Sequence, residues 1–150
     1  MKTRAILLMV LAMTLLAGCG STTSLRVHGI SPLNKNEAGE STPVDVRIYM
    51  LRDDRKFTSA PFDQLWTSEK DALGNDMVGD HTLITVFPAE ASDKPKDVSL
   101  GTVPADVKFI GVMALYPKQE DKGERRVAVP AGDAPGYVFE FTGYRIQLKK

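Results

Sequence analysis

The chain reads as mainly β, a sandwich of two antiparallel sheets with a short helical insertion. Three observations predict this. Apolar and polar residues alternate with a period of two in several short segments, as half-buried strands require. Turns bearing Pro or Gly separate those segments, and the chain holds 9 of the former and 12 of the latter. Residues 57–74 alone switch to the 3.6-residue period of a helix. Short strands with frequent turns favour two sheets that bury their apolar faces on each other.

Taken in order, residues 1–18 form a targeting segment. Lys2 and Arg4 precede an apolar run, residues 5–17, in which only Thr14 is polar. That run falls short of the about 20 residues a transmembrane helix needs and suits the core of a signal peptide. It closes on Leu16-Ala17-Gly18-Cys19, which resembles the lipobox of bacterial lipoproteins. Small residues let a signal peptidase reach the backbone, and the Cys19 thiol is the side chain there that can form a thioether to diacylglycerol. Lipidation of Cys19, with about 0.8 kcal/mol for each buried methylene of three acyl chains, makes attachment effectively permanent. The residues after it, Gly20 and Ser21, lack the Asp that retains enteric lipoproteins at the inner membrane. The periplasmic face of the outer membrane is therefore the expected location.

Cleavage before Cys19 leaves 132 residues, enough for one core, with 17 basic and 19 acidic side chains. This near balance argues against nucleic acid as a partner, because phosphate binding needs clustered cations. Cys19 is the single cysteine, so no disulfide is expected and the fold rests on packing.

Residues 20–24, small and polar, read as a tether, and residues 25–30 as a short first strand. Residues 31–42 follow as a loop, carrying Pro32, Asn34, Asn36 and Gly39 with little apolar content. Beyond Pro43, Val44, Val46, Ile48 and Met50 alternate with Asp45, Arg47 and Tyr49, a half-buried strand. Phe62, Leu65 and Trp66, with Leu73 seven further on, share one helical face that attaches the insertion to the sandwich. Ser59 with Pro61, and Ser68 with Asp71, mark two helix starts, and Gly74 suits a C-terminal cap. Two short helices or one kinked helix fit this pattern.

Strand patterns resume at residues 82–87 and 97–103. Residues 107–116 are apolar at nearly every position, as in a central strand covered on both faces. Residues 126–130 form another short strand after a charged turn, 118–126. Residues 137–142 and 145–148 flank Gly143 as a terminal hairpin.

Catalytic signatures are sparse. The two histidines, His28 and His81, stand apart and read as solvated or edge-strand side chains, and no zinc spacing occurs. Asp53-Asp54 between Arg52 and Arg55 suits a salt-bridged turn better than a calcium loop. Glycine-rich phosphate loops and the G-x-S-x-G elbow are missing. No metal or cofactor is expected, and a tethered binding module is favoured over an enzyme.

The mature chain resembles the outer-membrane lipoprotein of the type VI secretion system, the TssJ family. An ordered series carries the resemblance. It runs from Ser31-Pro32-Leu33-Asn34 through Pro43-Val-Asp-Val-Arg-Ile-Tyr-Met-Leu51 to Phe57, Phe62-Asp-Gln-Leu65 and Asp71-Ala-Leu-Gly74. Pro88 and Phe109-Ile-Gly-Val-Met-Ala-Leu115 follow. Two departures concern turns: Glu124-Arg125-Arg126 stands where that family commonly has an aromatic-arginine pair, and Pro88-Ala89 where a Pro-Gly is common. The resemblance implies a transthyretin-like sandwich without catalysis that binds the periplasmic domain of the inner-membrane component TssM. It also implies a contact loop between the first two strands. Its residues are Ser31, Pro32, Leu33, Asn34, Lys35, Asn36, Glu37, Ala38, Gly39, Glu40, Ser41 and Thr42. The alternatives are another periplasmic lipoprotein, a secretion pilotin or small-ligand binder, and an envelope enzyme. A deep apolar pocket would favour ligand binding, and a filled core with an exposed loop would favour scaffolding.

Overall fold

The chain alternates strands with tight turns, broken once by helices. The computed structural model describes residues 22–118 and 124–150; the targeting segment, Cys19, the first tether residues and part of the charged turn lie outside these. β1 (Thr22–Leu33) and β2 (Val44–Leu51) precede the insertion, which comprises α1 (Arg55–Ser59), α2 (Phe62–Thr67), α3 (Glu69–Leu73) and a 3₁₀ turn (Gly74–Asp76). β3 (Thr82–Val86), β4 (Lys96–Thr102), β5 (Phe109–Ala114), β6 (Arg126–Pro130), β7 (Val138–Gly143) and β8 (Arg145–Lys149) follow.

The strands make two four-stranded sheets, ordered β4-β1-β7-β8 and β3-β2-β5-β6. This is the sandwich expected from the strand pattern. One pairing differs from an antiparallel sheet: β1 runs parallel to β7, Val27 opposite Phe139. The main core lies between the sheets, where Val44, Val46 and Ile48 of β2 and Ile110 and Val112 of β5 meet Leu25, Phe139 and Phe141. These are the alternate residues of each strand, as the pleat dictates.

A second core covers the outer face of the β2/β5 sheet. Tyr49, Leu51 and Met113 meet Phe57, Leu65, Leu73 and Met77, all buried. β2 is thus covered on both faces, although its alternation reads as half-buried. Gly111 makes this possible: a Cβ there would stand 3.0 Å from the Phe57 ring and from Leu51 Cδ1. Phe57 lies instead on bare backbone, 5.4 Å from the Tyr49 ring.

Three short helices stand where two, or one kinked helix, are expected, and none has a side-chain N-cap. Ser59 does not cap the second; its hydroxyl donates to the Arg55 carbonyl at 2.7 Å, inside α1. Gly74 ends α3 at φ +54°, which a side chain would resist. Of the face expected on the core, Leu65 and Leu73 are buried, while Phe62 and Trp66 are half-buried at its rim. Guanidinium groups cover both rings, Arg125 over Phe62 and Arg47 over Trp66, each 3.7 Å from the centroid. Arg126 donates to the Ala60 carbonyl at 2.5 Å and the Thr58 carbonyl at 2.6 Å. Burial lowers its pKa. The Glu124-Arg125-Arg126 departure therefore fastens the insertion to β6.

β1 is longer than expected at both ends. Thr22, Thr23 and Ser24, expected as tether, pair with Thr102, Gly101 and Ser99, because polar β-formers satisfy their backbone on β4. At the other end Ser31, Pro32 and Leu33, expected as loop, continue the strand. The Ser31 amide donates to the Ala89 carbonyl at 3.0 Å, and Leu33 is fully buried. The β7–β8 hairpin turns on Gly143 and Tyr144, with Gly143 at φ +55°, the sign a type II′ turn needs at its first position.

Candidate partner-binding site

Shortened by β1, the connection from β1 to β2 spans residues 34–43, and its polar side chains fold it upon itself. Asn34 adopts φ +44°, the left-handed region that asparagine tolerates. Its Nδ2 donates to the Pro43 carbonyl at 2.7 Å and to Thr42 Oγ1 at 3.0 Å, while Thr42 Oγ1 donates to the Asn34 carbonyl at 2.5 Å. Two residues further out, the Asn36 side chain accepts from the Glu40 amide at 2.9 Å and donates to Glu40 Oε2 at 3.0 Å. The Asn36 amide donates to the Glu40 carbonyl and the Gly39 amide to the Asn36 carbonyl, both at 3.0 Å.

The base is tied to the sandwich. The Thr42 amide donates to the Leu33 carbonyl, and Ser41 Oγ accepts from the Leu33 amide at 3.1 Å. From the hairpin turn the Tyr144 hydroxyl donates to the Lys35 carbonyl at 2.9 Å, and the Asn34 amide donates to the Gly143 carbonyl at 2.8 Å. The tip, Lys35, Asn36, Glu37, Ala38, Gly39 and Glu40, is exposed. Of the expected contact residues, Ser31 and Pro32 lie exposed in β1, Leu33 faces the core, Asn34, Ser41 and Thr42 build the base, and the six of the tip are exposed. Cys19 lies outside the described residues.

The loop stands at the end of β1 opposite Thr22. Twelve residues of strand at about 3.3 Å each separate the two poles by roughly 35–40 Å.

Elsewhere polar residues gather under the insertion. Glu69 accepts from Tyr49 Oη at 2.9 Å and Arg47 Nη1 at 3.3 Å, and its other oxygen lies 2.7 Å from His81 Nδ1. Arg47 also donates to the Trp66 carbonyl at 2.9 Å. Burial holds the Tyr49 hydroxyl well above its ordinary pKa. Glu69 thereby fastens α3 to β2, and His81 is bound to it rather than solvated. His28 is also not solvated: it is buried on an inner strand, with Nε2 3.1 Å from the Glu90 carbonyl. Asp53 forms the expected turn, gripped by Arg55 at 2.7 Å, and the side-chain hydrogen bonds from Arg55 bring its carboxyl down to about 2. The space between the sheets is filled by Leu25, Phe139, Phe141 and Ile110. Hollows of about 360 Å³ occur at the rim, one beside His28 and one beside Glu69. Among the described residues no cluster of three metal-ligating side chains occurs, and no helix is long and apolar enough to cross a membrane.

The sequence profile described as "Type VI secretion lipoprotein, VasD, EvfM, TssJ" matches residues 21–149. The chain belongs to the type VI secretion lipoprotein family. Its fold is that of solved structures in the same group. "Serratia marcescens Lip, a membrane bound component of the Type VI Secretion System" superposes with a TM-score of 0.74 at 22% identity, covering 87% of this chain and 97% of that one. The lipoprotein TssJ1 from Pseudomonas aeruginosa gives 0.68 at 22% identity, covering 87% and 98%. A chain of the structure described as "T6SS protein TssM C-terminal domain (869-1107) from EAEC" gives 0.70 at 25% identity, covering 86% and 98%. A search of curated proteins returned no match.

In this lipoprotein the polar composition of the loop is legible in the sequence, but Tyr144 is not: its hydroxyl reaches Lys35 from 109 residues away. No local signal marks such a contact. Asn34 was legible in part, since asparagine at the exit of a strand suits the left-handed conformation that a tight turn demands.

Proposed function

We propose that this lipoprotein anchors the envelope-spanning complex of a type VI secretion system to the outer membrane without catalysis. It does so by binding the periplasmic domain of TssM through the tip of the loop at residues 35–40. One observation carries the reading: the exposed loop is closed by its own hydrogen bonds at the end of β1 opposite Thr22. Thr22 is three residues from Cys19, a chain that spans at most about 11 Å. With lipid on Cys19, β1 therefore carries the loop away from the membrane and toward anything that rises from the inner membrane. The family membership and the likeness to chains of structures described as a TssM C-terminal domain and a "Type VI membrane complex" support the same partner. A preorganised loop is suited to this, because fixing a flexible backbone on binding costs about 1–2 kcal/mol per residue.

The test is calorimetric titration of the mature lipoprotein in nanodiscs with the TssM periplasmic domain. Replacing residues 35–40 by a Gly-Ser link, keeping Leu33, Asn34 and Thr42, is expected to cut affinity by about thirtyfold, roughly 2 kcal/mol. The melting midpoint should barely move, since loop closure depends weakly on length. Unchanged affinity would remove the loop from the interface.

A further inference from the structure

The free edge of β3 departs from the way this protein guards its other edges. An edge strand presents unpaired N–H and C=O groups, and proteins protect such edges with charge, proline or irregularity. Four strands lie at sheet edges: β3, β4, β6 and β8. β4 begins with Lys96 and Asp97, and its register with β1 breaks between Thr23 and Ser24, beside Gly101 at φ +68°. β6 carries Arg126 at one end and Pro130 at the other, and β8 carries Arg145 and Lys149. β3 reads Thr82-Leu83-Ile84-Thr85-Val86, with neither charge nor proline.

Its exposed side chains sharpen the contrast. Leu83 is 57% exposed and Phe87, just past the strand, is 58% exposed. Ile84 and Val86 pack on the core, so β3 is firmly seated. Ala89 holds the chain beyond Phe87 against β1, through its amide to the Gly29 carbonyl at 2.8 Å and its carbonyl to the Ser31 amide. The strand itself is thus well seated and uncharged, with Leu83 within it and Phe87 just past it turned outward, and the charges nearest its Val86 end, Asp93, Lys94 and Lys96, line the hollow beside His28 rather than the strand.

We propose that a partner protein adds an extended strand to this edge, pairing its main chain with β3 and packing apolar side chains on Leu83 and Phe87. The inference rests on the reading that TssM binds the neighbouring loop, and it gives that partner a second attachment. Two observations choose a partner's strand over a second copy of this chain. Five residues of strand extend only about 17 Å, so β3 paired to β3 would bury far less than the about 800 Å² per partner of a stable complex. The edge is also continuous with the loop, since Val44, the first residue of β2 after it, pairs with Val86. A partner already held at the loop presents its strand at high effective concentration, and a short edge then suffices.

The experiment titrates the mature lipoprotein in nanodiscs, wild type, Leu83→Lys and Phe87→Lys, with the TssM periplasmic domain. Amide exchange of residues 82–86 is measured with and without that domain, and melting of each variant controls for folding. A fall in affinity of about tenfold in both variants, with slower exchange in β3 of the wild-type complex, supports strand addition. Equal binding by all three proteins with unchanged exchange overturns it and leaves the loop reading standing. Failure of the wild type to bind TssM overturns both. Wild-type self-association that Leu83→Lys abolishes assigns the edge to a second copy and overturns the proposal.

Discussion

Replacing Asn34 by Gly and by Ala separates two things the residue does for the loop at residues 34–43. Glycine keeps the left-handed backbone, φ +44°, but removes the two donations from Nδ2 to Pro43 and Thr42. At about 1 kcal/mol net for each partly exposed hydrogen bond, Asn34→Gly should cost the closed loop about 1–2 kcal/mol. Alanine loses the same bonds and adds roughly 1 kcal/mol for forcing a Cβ into the left-handed region, about 2–3 kcal/mol in all. A partner that recognises the closed loop must supply this energy on binding, so affinity for the TssM periplasmic domain should fall about 5- to 30-fold for Gly and further for Ala. Leu33 stays in the core, so the cost falls on local opening. Amide exchange at residues 35–40 should accelerate in the order wild type, Gly, Ala, and titration calorimetry should rank affinities the same way. If exchange accelerates while both variants bind like the wild type, loop rigidity contributes nothing to recognition.

Cys19→Ser should abolish metabolic palmitate labelling and release the protein from the membrane fraction, because an alcohol does not replace the thiol in thioether formation; label retained by the variant would refute the anchor. Trp66→Ala should cost about 2 kcal/mol in denaturant melts, below the 3–5 kcal/mol typical of a fully buried aromatic, since Trp66 is half-buried beneath Arg47. A loss near 4 kcal/mol would show the ring deeper than the fold places it. For Tyr49 the folded-state pKa is raised above its ordinary 10.0 by burial, so its contribution is full below pH 10 and is lost as pH rises beyond it. The melting midpoint should drop above about pH 10, and Tyr49→Phe should flatten that drop; parallel alkaline limbs for the two proteins would refute the assignment.

What the sequence by itself determined was local. Strand positions follow from the alternation at Val44, Val46 and Ile48, and the hairpin from Gly143, because period and turn chemistry each live within a few adjacent residues. The tertiary structure decided everything that depends on what lies opposite. Tyr49 sits on the polar-looking face of β2 yet is buried, because Gly111, on the neighbouring strand, leaves room for Phe57. Leu33 looks like loop and is core because the sandwich closes over it. Trp66 and Phe62 look like core and lie at a rim because arginines, rather than strands, cover them. At the candidate site the polar composition of the loop was legible, but its rigidity was not. That rigidity comes from Asn34 to Thr42 and from Tyr144 to Lys35, and only the folding of the sandwich brings Tyr144 to the loop. Burial and long-range hydrogen bonding are properties of pairs, and a single sequence displays residues one at a time.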